Sequence, residues 1–357
     1  MGFLTGTAKK EKSAGDGYFD FTLLFIVMLL VVFGLIMIYS TSSYTASINL
    51  GDSLYYLKRQ AIFAFAGLIL MVIAIFVPMK VFDRFSPILF ILMILIQGYV
   101  LLYGQATNGQ ARWIYFGSIG VQPSEISKLV IILFLSVIIA NSSKGLMRKG
   151  SILKIFIMAA LLIGPVILAD LSTGIIMAGI TFIMLYVASR RTMPFIALIA
   201  LAIIAFLLLL KIAPYRLSRI EAWTNVETSE NAYQIRQALY AVGSGGFFGK
   251  GLGQSIQKLD FIPYAHNDMI FSVICEELGV FGGICLIALY VILIWRCMVI
   301  ANNAPDLKSA LVVTGIMTHI GLQAFINIAV SLNFIPNTGV TLPFISYGGT
   351  SVMFLLI

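Results

Sequence analysis

The chain has 357 residues, 60% of them hydrophobic and 11% charged, with a mean hydropathy of +1.01. No water-soluble domain of this length needs that much apolar side chain, so the composition excludes a soluble globular protein and indicates an all-α, polytopic membrane helix bundle. The net charge of +8 fits either anionic lipid or phosphate partners or the plain positive-inside bias of membrane proteins, and no nucleic-acid partner is expected.

Residues 1–18 are polar and read as an unstructured cytoplasmic tail. Apolar runs follow at 19–42, 57–77, 86–104, 124–141, 152–169, 172–188, 194–211, 268–295, 308–333 and 343–357. A helix needs about 20 apolar residues to cross the hydrocarbon core, and shorter ones are tolerated inside a bundle, so about ten spans are expected. The first run is too long for a signal-peptide core and reads as a span. The last is still apolar at Ile357, which suggests that the natural protein continues. Residues 19–357 thus form one transmembrane domain, with a single large loop, 212–267, between spans seven and eight. Cys275, Cys285 and Cys297 fall in or at the end of one apolar run, so packing is expected of them and no disulfide framework.

With the N-terminus inside, inner segments carry thirteen Lys and Arg and outer segments nine, six of which lie at or within the long loop. Short outer loops are therefore poor in cations, which supports an N-in arrangement with the long loop outside. Inside that loop, 231–242 places Ile235, Leu239 and Val242 on one helical stripe ending at Gly243. The Gly-rich stretch Gly243–Gly253 follows. It is either a flexible loop whose amides and Lys250 meet a phosphate, or a tight turn at the membrane surface, the second being favoured by spacing alone. Arg216, Arg219, Arg236, Lys250 and Lys258 suit a solvated face, anionic headgroups or an anionic lipid-linked substrate.

Charges within or beside spans say more. Gln122-Pro123-Ser124-Glu125 reads as a helix start, and Glu125 and Lys128, three apart, can pair on one face. That pair is either a cap or a cavity lining. Asp170, between two spans, is either an N-cap or a polar group facing a cleft. Glu276 and Glu277 lie about two turns into the eighth span, and at most one of them can share the face of Asp268. His319 is expected in a helix–helix hydrogen bond, and Gly279 with Gly283 in small-residue packing. Trp113, beside Arg112, reads as an interfacial aromatic. Asp268 stands where the long loop enters the eighth span, two residues after His266, and a carboxylate at the hydrocarbon edge is costly to place and available for proton chemistry. His266 reads either as a group that positions a phosphate or tunes Asp268, or as a satisfied surface histidine. The sequence has no Walker, HExxH or Gly-x-Ser-x-Gly motif and no Cys/His metal cluster.

Several segments together resemble the shape, elongation, division and sporulation (SEDS) family of RodA and FtsW. They are Asn108-Gly-Gln-Ala-Arg-Trp-Ile114, Val121-Gln-Pro-Ser-Glu-Ile-Ser-Lys128, Gly249-Lys-Gly-Leu-Gly-Gln254, Ala265-His-Asn-Asp-Met-Ile-Phe271, Glu276-Glu-Leu-Gly279, Ile335-Pro-Asn-Thr-Gly339 and Leu342-Pro-Phe-Ile-Ser-Tyr-Gly-Gly-Thr-Ser351. Gln257-Lys258-Leu259 leans toward the FtsW branch. Two departures stand out: Tyr264 and Asn267 replace the family's usual Glu and Thr before the aspartate, and Asp170 lacks the usual Gln-Pro before it.

The resemblance implies a glycosyltransferase of the bacterial plasma membrane that polymerises lipid II on the outer face for cell division or elongation. It makes Asp268 the essential carboxylate, acting as general base while undecaprenyl pyrophosphate leaves. Arg112, Trp113, Glu125, Lys128, Arg216, Arg236, Lys250 and His266 become candidate substrate-binding residues, and Asp170, Glu276, Glu277 and Ser346 polar residues of the interior. No cofactor is certain, although a divalent cation such as Mg or Mn would suit the pyrophosphate. The implied partner is a single-span class B penicillin-binding transpeptidase among other divisome or elongasome proteins. A lipid II transporter and a non-catalytic scaffold for the transpeptidase are the competing expectations.

Overall fold

The computed structural model describes residues 19–107, 110–116, 119–142, 151–189, 192–201 and 214–357. Among the described residues, eight helices are long and apolar enough to span a membrane: α1 (Phe21–Leu50), α2 (Tyr55–Phe76), α3 (Met79–Tyr103), α4 (Pro123–Asn141), α5 (Ser151–Ala169), α6 (Leu171–Ala188), α9 (Ile270–Asn302) and α10 (Leu307–Ser331). The seventh apolar run is helical over 193–201, and its remainder lies outside the described residues. The tenth run reduces to the short α11 (Gly349–Leu356), preceded by the irregular segment 332–348. The chain is therefore a multi-pass helical membrane protein. One feature escaped the periodicity: the segment between α3 and α4 forms three short antiparallel strands, β1 (Gln105–Thr107), β2 (Gln110–Phe116) and β3 (Ile119–Val121).

Local chemistry sets the ends of the helices. Asp20 caps α1 by accepting from Leu23 N, and Gly51, at φ 71°, closes it by returning its N–H to Ser47 O. Pro123 takes the first position of α4, where its missing N–H costs nothing. Asp170 caps α6 through Ser172 N and Thr173 N.

The bundle is organised around α4. Two thirds of its apolar window (67%) is buried, against 17% for α2 at the periphery. Ile131 and Leu135 of α4 meet Leu162 of α5, Met177 and Met184 of α6 and Leu311 of α10 in the main core. A second core joins Leu30 and Met37 of α1 to Ile274 and Leu293 of α9 and to Phe344 and Ile345. Outward faces carry exposed Phe25, Phe65, Leu95 and Leu161, as expected of surfaces solvated by lipid tails.

The two ends of the bundle differ. At one, Arg296 pairs with Asp20 and Lys308 with Asp83, each at 2.6 Å. The opposite end collects the β-strands, the loop before α9 and the segment 332–348. Within that loop lie α7 (Pro214–Thr224) and α8 (Tyr233–Ser244). The core stripe of α8 is Ile235, Ala238 and Ala241, so it is turned toward smaller residues than Leu239 and Val242. The helix also runs past Gly243, with its C-cap at Gly245.

The expectation of simple small-residue packing at Gly279 is corrected. Gly279 has φ 71° and ψ −174°, which breaks α9 two turns from its start. The Gly-rich loop repairs the break. Val280 N and Phe281 N donate to Gly246 O and Phe247 O, while Glu276 O and Glu277 O accept from Lys250 N and Gly251 N. A Cβ on Gly249 would stand 2.2 Å from Glu277 O, and one on Gly279 2.3 Å from Phe247 O. These glycines are needed for backbone approach to the broken helix.

Candidate active site

Asp268 lies two residues before α9, partly exposed, with Gly339 of the segment 332–348 as a wall: a Cβ there would be 3.9 Å from Asp268 Oδ2. Burial raises its carboxyl from 3.8 to about 6, while a hydrogen bond from its own backbone and the charge of Arg219 pull the other way and lose. The carboxylate is thus ionised at neutral pH and close to its protonation point, the condition that suits a general base.

The segment 332–348 ties the site together. Asn337 O accepts from Arg219 of α7 at 3.3 Å, and Asn337 Nδ2 donates to Gln234 of α8 at 2.9 Å. Thr338 O accepts from Ser172 of α6 at 2.8 Å. Val340 O accepts from Asn327 Nδ2 at 2.7 Å, and the same nitrogen donates to Asp268 O at 2.8 Å. Thr341 O accepts from Gln323 at 3.0 Å. Four elements and the Asp268 loop therefore converge on five consecutive residues.

Two ion pairs border this segment. Arg112 on β2 reaches Asp170 Oδ2 at 3.4 Å, so Asp170 both caps α6 and holds a cation. Lys128, 2% exposed, pairs with Glu125 at 2.9 Å and donates to Gln323 Oε1 at 3.0 Å, and Glu125 Oε2 accepts from Ser351 at 2.8 Å. Both charges are paired and hydrogen-bonded, as burial demands. His319 bonds Gln323 Oε1 at 2.9 Å within α10 itself, one turn away on the same helix, in place of the helix–helix contact expected of it.

The other candidates divide differently. Trp113 is half-buried on β2 beside Arg112. Arg236 donates to Glu227 O at 2.7 Å, and the side chain of Arg216 lies outside the described residues. Lys250 pairs with Glu276 at 2.7 Å, and the buried Glu276 also accepts from Ser255 and from Ile256 N. Glu277 accepts from Lys258 at 2.8 Å and from Ser40 of α1 at 2.7 Å. These two carboxylates clamp the loop onto α9. His266 packs against the rings of Tyr56, at 4.5 Å between ring centroids, and Tyr347, at 5.6 Å. Burial lowers its pKa to about 4, so the ring is neutral at pH 7 and supplies no charge to a phosphate. Ser346 Oγ accepts from Leu342 N and closes a turn of the same segment. Cys275 and Cys297 are buried free thiols, and Cys285 is an exposed one.

Sequence reasoning passed over Gln323, Asn327, Asn337 and Ser40. The first two carried a signal, since amides four residues apart inside an apolar span share one face and must find partners. Among the described residues, no three His, Cys, Asp or Glu come together as a metal site.

A multi-pass helical membrane protein with a desolvated carboxylate, buried cations and a backbone hub gathered at one end is the class these features define. The chain belongs to the FtsW/RodA/SpoVE family, whose model, described as "Cell cycle protein", matches residues 21–357. It is 38% identical over 343 residues to stage V sporulation protein E of Bacillus subtilis, covering 94% of each chain. To the probable peptidoglycan glycosyltransferase FtsW of Coxiella burnetii it is 36% identical over 353 residues, covering 96% of this chain and 95% of that one. Among solved structures, a chain of a peptidoglycan synthase complex that coordinates polymerization and crosslinking superposes with a TM-score of 0.80 at 24% identity, over 95% of this chain and 94% of that one. The rod shape determining protein RodA of Thermus thermophilus gives 0.70 at 24% identity, over 95% and 93%. At those identities the structures speak for the fold.

Proposed function

We propose that this protein is a peptidoglycan glycosyltransferase that polymerises lipid II at the outer face of the bacterial plasma membrane, during division or elongation. The observation that carries the reading is Asp268, a carboxylate that burial brings to about 6 at the end of the bundle where the cations collect. Relatives named as probable FtsW glycosyltransferases support the reaction class. The charge bias of the short loops supports placing this end outside.

In the reaction, the 4-hydroxyl oxygen of an acceptor sugar attacks the anomeric carbon of the donor and forms the new glycosidic bond. The bond from that carbon to the pyrophosphate oxygen breaks, and the electron pair leaves with undecaprenyl pyrophosphate. The hydroxyl proton passes to Asp268. Because the leaving group departs without protonation, a single carboxylate suffices, and the anomeric centre inverts. Cations stabilise the charge building on the pyrophosphate. Arg112, with a fifth of its side chain exposed, and Arg219, whose charge reaches Asp268, are the candidates. Lys128 is deeper and already committed to Glu125 and Gln323. A divalent ion carried on the pyrophosphate oxygens would neutralise the same charge, leaving Asp268 free as the base. Uncompensated acceptors at Asn267 Oδ1, Asn327 Oδ1 and Asn333 Oδ1, with the Thr338 hydroxyl, suit a ligand rich in hydroxyls. A single-span class B transpeptidase is the proposed partner, by analogy with the synthase complex that shares the fold.

The test is polymer formation from lipid II by purified protein in detergent, with and without Mg²⁺ and the transpeptidase. Wild type forms glycan polymer, and Asp268→Asn loses about a hundredfold or more, the usual share of a general base. Undiminished polymer from Asp268→Asn overturns the assignment. A wild type that forms no polymer under any condition, yet moves lipid II across vesicles, establishes the transporter instead.

A further inference from the structure

α10 carries His319, Gln323, Asn327 and Ser331, all buried, at intervals of four residues and so on one face. Buried polar side chains inside a span are costly, and these do more than satisfy one another. Asn327 gives its amide to two carbonyls from separate segments, Asp268 O at 2.8 Å and Val340 O at 2.7 Å. One turn earlier, Gln323 gives its amide to Thr341 O at 3.0 Å, while its oxygen accepts from Lys128 at 3.0 Å and from His319 at 2.9 Å.

Asp268 depends on this arrangement. It precedes α9, and the helical partner its carbonyl would have, Ser272 N, donates instead to Met269 O. Asn327 is the donor that fixes the Asp268 backbone to the bundle, and the same amide holds Val340, one residue after the Gly339 that walls the carboxylate. Gln323 holds the next residue of that wall and, through its oxygen, the ammonium of Lys128.

We infer that Gln323 and Asn327 are positioning residues that hold Asp268 and Lys128 in register across the 339–341 segment, Asn327 by limiting the water that reaches the Asp268 carboxylate. This rests on the role proposed for Asp268. Among the described residues, the charged group facing Asp268 is Arg219 of α7. His266, on its own segment, is neutral among Tyr56 and Tyr347, and α10 and the 339–341 segment present only the neutral Asn327 and Gly339.

The experiment uses the full-length protein in detergent, with wild type, Asp268→Asn, Asn327→Leu and Gln323→Leu assayed for polymer from lipid II across pH. The Asp268 carboxylate is followed in parallel by infrared difference against Asp268→Asn. In Asn327→Leu the saturated rate falls at least about tenfold with KM within about twofold. The midpoint of both the rate and the infrared titration moves from about 6 toward 4, as a hydrated aspartate requires. In Gln323→Leu the midpoint stays, and the saturated rate falls about tenfold as Thr341 O loses its donor and the 339–341 segment loosens; a rate equal to wild type overturns the part given to Gln323. Should Asn327→Leu not fold, Asn327→Ser carries the same two readings. A loss of activity in the Asn327 variants with an unmoved infrared midpoint overturns the inference and leaves the role of Asp268 intact. Full activity in Asp268→Asn overturns the underlying reading, while the infrared shift still reports on Asn327.

Discussion

The carboxyl of Asp268 allows a prediction that needs two independent measurements. Its pKa of about 6, against 3.8 for an unperturbed aspartate, sets how much of it is ionised as the pH falls. At pH 7 about nine-tenths of the molecules carry the base form, and at pH 5 about one-tenth, whereas an ordinary aspartate would remain mostly ionised at pH 5. The polymerisation rate at subsaturating lipid II is therefore expected to fall about tenfold per pH unit below 6. The same displacement enters stability. Because the folded-state pKa lies above the unfolded one, the fold favours the protonated acid. That contribution is complete below 3.8 and is lost as the pH rises through about 6. Two pKa units correspond to about 3 kcal/mol at most, and partial exposure of Asp268 brings the expectation to about 1–3 kcal/mol. Asp268→Asn should then be more stable than wild type at pH 8 and indistinguishable from it near pH 4, measured by thermal unfolding in detergent. A rate that is flat between pH 5 and 7, together with no gain in stability at pH 8, refutes the claim that burial governs this carboxylate.

Two further expectations concern the clamp between the loop and α9. Lys258→Met leaves Glu277, fully buried, with Ser40 as its remaining side-chain partner, and should cost about 3–5 kcal/mol in unfolding, most of it recovered in the double variant with Glu277→Gln. A loss under about 1 kcal/mol would mean that Glu277 does not need its lysine. Gly279→Ala places a Cβ 2.3 Å from Phe247 O at a left-handed φ, so the Gly-rich loop must detach from α9. The expected result is protease cleavage within 243–258 and a loss of polymerisation, while Gly283→Ala, whose nearest neighbour is the Cys275 sulfur at 3.1 Å, stays resistant.

Hydropathy alone located the spans that are described, because a helix in lipid must be apolar over its whole length. The start of α4 was equally legible, since Pro123 and Glu125 satisfy local rules that hold wherever the helix packs. The Glu125–Lys128 pair followed from their spacing of three, while the place of Asp170 between two runs left a cap and a cleft-facing group open, and the structure shows it capping α6 and holding Arg112. The break at Gly279 was not legible, because nothing in the local sequence distinguishes a glycine that packs from one that turns the chain. Only the docking of 245–251 against it decides which it is. The same holds for α8, where Leu239 and Val242 look like the core stripe by hydropathy but the face that packs is set by what the helix lies against.

What the sequence determined by itself was a multi-pass helical protein of the FtsW/RodA/SpoVE family, with Asp268 singled out as the candidate base. Apolar length, cation bias and ordered motifs are written in consecutive residues, and a carboxylate at a hydrocarbon edge declares its cost wherever the rest of the chain goes. The tertiary structure alone decided what surrounds that carboxylate. Asn327 lies 59 positions from Asp268, Ser172 lies 166 from Thr338, and Ser40 lies 237 from Glu277. Hydrogen bonds across such distances depend on which helices become neighbours. That depends on packing summed over the whole bundle, and no stretch of sequence holds it.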